Sequence, residues 1–108
     1  MNTKFDKKYM TFDWVFINGQ PNQIIVPDIK DASPIILKPE FLEMNGFILH
    51  DSSMGYKNFH DAENDVYIQF NGKCCYILFN NKIKYLRYVH QLQHYYNFLE
   101  IEKIWIFK

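Results

Sequence analysis

Residues 83–99 read IKYLRYVHQLQHYYNFL, and the interpretation of this stretch decides the fold. At about 100° per residue, Tyr85, Tyr88, Val89, Leu92, Tyr95, Tyr96 and Leu99 fall within about 60° either side of Leu92. The periodicity predicts one long amphipathic helix, Ile83–Leu99, whose tyrosine-rich stripe is buried. Arg87, His90, His94 and Asn97 then face water or a partner.

Upstream of this helix the signals are those of strands. VYIQF (66–70), Asn71-Gly72 and KCCYILF (73–79) read as a hairpin, with Asn-Gly supplying the positive φ angles of a type I′ turn. A two-residue turn there sets Phe70 opposite Lys73, Ile68 opposite Cys75 and Val66 opposite Ile77. Together with Phe79, these would form the core face, and Tyr67 would pair with Tyr76 on the other. Asn80-Asn81 is expected to break the strand and lead into the helix. FDWVFI (12–17) and QIIV (23–26) flank Asn18-Gly19-Gln20-Pro21 as a first hairpin, with Pro27–Ser33 as a connector. Pro39 suits a helical first turn and Asn45-Gly46 a left-handed stop, so a short helix lies between them, followed by a strand at Phe47–His50. Asp51–Asn64 reads as a long polar loop. KIWIF (103–107) reads as a last strand, with Trp105 on one face and Ile104 and Ile106 on the other.

These elements predict an α+β domain: a mostly antiparallel sheet of about five or six strands, one long C-terminal helix packed on it, and one short helix. All 108 residues are expected to form one domain, with Met1–Thr11 flexible. A chain this small buries only about two-thirds of its unfolded surface. Its 19% aromatic content compensates with large rings.

Twelve basic and twelve acidic residues cancel, so no global field draws the chain to nucleic acid or membrane. The charges are nevertheless segregated. Asp28–Asp65 holds eight acids against three lysines, whereas Val66–Leu99 holds Lys73, Lys82, Lys84 and Arg87 and no acid. The N-terminal stretch has no apolar core of a signal peptide, and no run approaches the roughly 20 apolar residues of a membrane span. Cys74 and Cys75 are neighbours on a strand and point to opposite faces, which disfavours a mutual disulfide and suits a reducing cytoplasm.

His90 and His94 have the i, i+4 spacing of a helical zinc pair, but Gln91 stands where a zinc peptidase needs a glutamate base. A structural zinc would have to recruit His50 or His60, and two solvent-facing polar residues are the plainer reading. Lys82, Lys84, Arg87, His90, His94 and Asn97 form a candidate ridge for a partner or for RNA phosphate. A single arginine in the chain counts against RNA. The carboxylates of Asp61-Ala62-Glu63-Asn64-Asp65 lack the spacing of a calcium loop. No catalytic residue, metal or cofactor is expected.

Two stretches resemble a group of small phage and mobile-element proteins. Pro34–Phe47 is similar to their P-x-x-L-x-x-E-x-L-x-x-N-G-F segment, and Tyr88–Tyr96 to their Y-V-H-x-L-Q-x-x-Y helix. The group does not fix the second histidine, here His94. The resemblance implies a cytoplasmic protein in a bacterial host, acting on a host protein or ribonucleoprotein, as anti-CRISPR inhibitors act on guide-RNA effectors. It carries over no catalytic residue. The leading expectation is therefore a non-enzymatic binding protein that inhibits a host defence nuclease. A small RNA-binding module, a metal-dependent hydrolase using His90 and His94, and an accessory phage protein that self-associates through a sheet edge are the alternatives.

Overall fold

A computed structural model describes residues 12–24, 32–53, 55–71 and 74–107. The element order is β1 (Trp14–Ile17), β2 (Gln20–Gln23), β3 (Ala32–Pro34), α1 (Pro39–Met44), β4 (Ile48–Ser53), β5 (Tyr56–Asp61), β6 (Val66–Asn71), β7 (Cys74–Phe79), β8 (Lys82–Leu86) and α2 (Val89–Phe98). The strands form two antiparallel sheets, ordered β2-β1-β3 and β4-β5-β6-β7-β8, in place of the one expected sheet. The elements fall into two compact units, one from the described parts of Met1–Ile36 with Tyr88–Lys103 and Phe107, the other from Leu37–Arg87 with Ile104–Ile106.

In the first unit, Asn18 and Gly19 (φ 54° and 79°) make the tight turn between β1 and β2, as their dipeptide predicts. The turn is only two residues long, so Gln20 and Pro21 belong to β2. Pro21 can sit there because β2 is an edge strand, where a missing N–H breaks no ladder. β3 pairs with the other side of β1, so the end of the expected connector is a strand. Ile25–Asp31 and Met1–Thr11 lie outside the described residues.

The long helix is the main correction. Its first turn is instead β8, and α2 has ten residues. Asn80 and Asn81 both adopt left-handed φ (51° and 63°) and turn β7 directly into β8, with Phe79 opposite Lys82. The alternation Lys-Ile-Lys-Tyr-Leu is itself a period-two pattern, and the asparagine turn decides for it over the helical stripe. Tyr88 is the extended residue before α2, and its N–H donates to the Gln91 carboxamide at 3.0 Å. Just before that, residues 87–89 run beside residues 35–37, with bonds Leu37 N–H to Arg87 O (2.9 Å) and Val89 N–H to Ile35 O (2.8 Å).

The buried arc of α2 also differs. Leu92, Tyr96, Val89, Gln93 and His90 are buried, an arc centred about 80° from Leu92 at about 100° per residue. His90, expected outside, is 1% exposed, whereas Tyr85, expected inside, is 64% exposed. The rotation follows from polar bonds to the start of β1. β3 ends at Pro34 opposite Val15, so the Trp14 N–H lies beyond it and donates to Gln93 Oε1 at 2.8 Å. Gln93 Nε2 donates to the Phe12 carbonyl at 3.0 Å, which also accepts from Gln23 Nε2 at 3.0 Å. Phe12 is held at φ 75°, a conformation that bulky side chains rarely adopt.

The second unit is a meander. α1 starts at Pro39 and closes with a Schellman pair, Phe47 N–H to Leu42 O (3.0 Å) and Gly46 N–H to Glu43 O (3.3 Å). Gly46 takes φ 88°, as its Asn-Gly context predicts. The stretch expected as a long loop is mostly paired: β4 runs to Ser53 and β5 begins at Tyr56. Val66, Ile68, Cys75 and Ile77 are buried as expected, joined by Phe59 and Leu86. Each such aliphatic or aromatic side chain contributes about 1.5–3 kcal/mol by leaving water. The β6–β7 register is shifted two residues from the expected one, with Asn71 opposite Cys74 and Ile68 opposite Ile77; Gly72 and Lys73 lie outside the described residues. A two-residue shift preserves the faces, but Tyr67 meets Leu78, and Tyr76 meets Gln69 instead of Tyr67. Residues 103–107 pair with no strand; their alternation survives only as a buried Trp105 between exposed Ile104 and Ile106. Trp105 stacks on Phe41 and Phe47 (centroids 5.9 and 6.3 Å), and Asn45 pins the backbone of Ile106 from both sides, at 2.9 and 2.7 Å.

Candidate functional site

The six residues expected to form one ridge do not share a helix. Lys82 and Lys84 are exposed on β8, and Arg87 is exposed just after it. His90, His94 and Asn97 belong to α2, and only Asn97 of these is fully exposed. His90 is stacked on Tyr88 (5.7 Å, 13°) and meets His94 edge-on at 5.5 Å. His94 Nε2 is bonded at 2.7 Å to the carboxylate of buried Asp13. The histidine spacing therefore serves packing and a hydrogen bond to a buried carboxylate. Among the described residues, no three His, Cys, Asp or Glu side chains are grouped to hold a metal ion.

The other candidate clusters are also structural. Asn64 donates to Asp61 at 2.9 Å, and His60 bonds Asp65 at 2.9 Å, so the acidic stretch is a folded turn between β5 and β6. Cys74 and Cys75 are free thiols, the first half-buried and the second buried. Burial pushes the Cys75 thiol up to about 12, leaving it protonated and unreactive near neutrality.

The surface that stands out is the outer face of the five-stranded sheet. Successive registers align Ile48, His60, Tyr67, Leu78 and Ile83 in a row across all five strands. At about 4.8 Å per strand, the row is about 19 Å long. A second row reads Asp51, Asn58, Gln69, Tyr76 and Tyr85. Ile48, Leu78 and Ile83 are 65%, 40% and 69% exposed. His60 and Tyr67 stack at 4.2 Å and 13°, and His50, at the bulge in β4, meets both rings edge-on at 5.9 and 5.7 Å. Gln69 donates to Asn58 at 2.9 Å. Tyr76 and Tyr85 share a hydrogen bond at 3.2 Å, which, with lesser contributions from desolvation and neighbouring groups, pushes Tyr76 up to about 12. Side chains already fixed by one another lose little freedom on binding.

Most of this face escapes a reading that places Tyr85 in a buried helical stripe. The signal that finds it is the period-two alternation of Lys82–Leu86, which puts Ile83 and Tyr85 on one side. Among the described residues, no helix is long and apolar enough to cross a membrane. Compared with known proteins, the chain matches no family model, no curated protein and no solved structure.

Proposed function

We propose that this chain is a non-enzymatic binding protein that docks a macromolecular partner on the outer face of its five-stranded sheet. The observation that carries the reading is the row Ile48–His60–Tyr67–Leu78–Ile83. The open face of an antiparallel sheet is ordinarily polar, and single exposed apolar residues need no explanation, but a continuous apolar and aromatic row does. Tyrosine, as at Tyr67, Tyr76 and Tyr85 on this face, is among the residues enriched at energetically dominant interface centres. The resemblance to phage and mobile-element proteins supports a partner in the bacterial cytoplasm, namely a guide-RNA nuclease of host defence that this chain inhibits.

The test adds the purified chain to such a nuclease and follows target cleavage. Cleavage should fall with a one-to-one dose, and Leu78→Asp or Ile83→Asp should restore it without unfolding the inhibitor. Full cleavage at saturating wild-type protein, with no nuclease subunit recovered in a pull-down, rejects the inhibitor. Binding of free RNA whose strength falls steeply with salt, and which Lys82→Ala and Arg87→Ala weaken, would replace it with an RNA-binding module.

A further inference from the structure

Ile104–Ile106 belong to the unit of Leu37–Arg87, although Lys103 before them and Phe107 after them belong to the other. A slot at the end of α1 holds them. The indole of Trp105 stacks with Phe41 and Phe47, whose ring planes lie 14° and 21° from its own. Asn45 donates to the Ile106 carbonyl and accepts from the Ile106 N–H, the two bonds that a neighbouring strand would make. Asn45 also donates to the Phe41 carbonyl at 2.8 Å, so its carboxamide is oriented from within α1. The slot thus reads one large ring and one backbone residue. The stretch that leads into it, Leu99–Lys103, is strained. Glu100 has φ 60°, a left-handed conformation that side chains with a Cβ avoid. It is also bracketed by Phe98 and Ile104, 78% and 90% exposed, the two most exposed large hydrophobic side chains among the described residues.

We propose that two copies of this chain exchange the strap Ile104–Phe107, each Trp105 filling the Phe41–Asn45–Phe47 slot of the other copy. Phe107, which stacks on Trp14 at 5.7 Å, travels with the strap. Exchange conserves every contact that the strap makes, so the balance lies in the hinge. Extended, Leu99–Lys103 reaches about 17 Å and frees Glu100 from its left-handed turn. Strain in a short hinge favours exchange of the element beyond it. The two hinges pass each other at the two-fold axis, which brings Phe98 and Ile104 of one copy against those of the other and takes exposed apolar surface out of water. A tryptophan segment of a foreign protein is a poorer occupant. It must compete with a strap whose tether gives an effective concentration of about millimolar, and it leaves the displaced strap with no slot. The inference goes beyond the reading of the outer sheet face and does not depend on it.

The test takes the full chain to about millimolar concentration, where a second copy matches the tether. Sedimentation equilibrium measures the dimer. Isotope-filtered NMR on a mixture of labelled and unlabelled copies then shows which copy supplies each Trp105. Cross-peaks should join Trp105 of one copy to Phe41 and Phe47 of the other. Glu100→Gly accepts the left-handed turn without strain and should weaken the dimer about tenfold. Glu100→Pro, locked at negative φ, should strengthen it. Phe98→Asp with Ile104→Asp changes two exposed side chains, so the monomer stays folded and the dimer should be lost. Should the proline variant fail to fold, the glycine and aspartate variants decide. A chain that stays monomeric, a dimer whose Trp105 cross-peaks all remain within one copy, or a dimer that Glu100→Gly leaves unchanged overturns the exchange. Entry of a capped Lys103–Phe107 peptide into the slot of a chain that remains monomeric also overturns it, by making a segment of another protein the occupant.

Discussion

Replacing Gln93 with leucine tests the polar tie between α2 and β1. The Gln93 carboxamide is 5% exposed, accepts from the Trp14 N–H at 2.8 Å and donates to the Phe12 carbonyl at 3.0 Å. Leucine fills nearly the same volume, so no large cavity opens. The Trp14 N–H loses its acceptor at a position that β3 does not reach, at a cost of about 1–3 kcal/mol. The Phe12 carbonyl keeps its bond from Gln23, so the loss of the second hydrogen bond costs only about 0.5–1.5 kcal/mol. Added apolar burial returns about 1 kcal/mol. The net expectation is a destabilisation of about 1–3 kcal/mol, which lowers the midpoint of thermal unfolding by about 5–15 °C in a chain of this size. Urea unfolding followed by circular dichroism reads it as a lower midpoint at unchanged slope. A Gln93→Leu protein within about 0.5 kcal/mol of wild type would refute the assignment of Gln93 as the substitute for a missing strand partner.

Four further outcomes follow from the same geometry. A double-mutant cycle on Asp13→Asn and His94→Gln, read by urea unfolding at pH 6, should show a coupling of about 1–3 kcal/mol, since one member is buried and the other largely so. Stability should fall as pH rises above 9. Cys75 and Tyr76 are each raised to about 12 from 9.0 and 10.0, so their contribution is complete below those lower values and is lost on titration through the upper ones. Tyr85→Phe should return Tyr76 towards 10 in an ultraviolet titration of the phenols. Asn45→Ala removes bonds to Phe41 O and to both backbone groups of Ile106, and should cost about 2–4 kcal/mol while exposing the Ile106 amide to hydrogen exchange.

The local chemistry of turns and caps is legible in the sequence wherever one residue type dominates the backbone. Asn18-Gly19, Pro39 and Asn45-Gly46 stand where their conformational preferences place them. The central hairpin shows its buried face through alternation, although its register needs the three-dimensional pairing. Asn80-Asn81 is harder to read, because two asparagines are a weaker turn signal than Asn-Gly and seventeen residues of apparent helical period outweigh them. The rotation of α2 is hidden for a different reason. Gln93 and His90 are buried through bonds and ring contacts with residues such as Trp14, Phe12 and Tyr88, and a period computed from side-chain polarity counts them as surface. The six residues of the candidate ridge are divided between β8, the residue after it and α2, because the helix that was to carry them all is shorter. The outer row becomes visible only when five strands are placed side by side.

The spacing of contacts along the chain has a kinetic consequence. From Ile48 to Leu86 every strand pairs with its immediate successor, so the meander can zip up from hairpin to hairpin at low loop-closure cost. The tie of Trp14 to Gln93 and of Asp13 to His94 instead joins positions 79 and 81 residues apart. Those bonds gain nothing until the whole stretch between these positions has been collected. The meander is therefore expected to assemble before β1 and α2 are joined, and during synthesis β1 waits for α2.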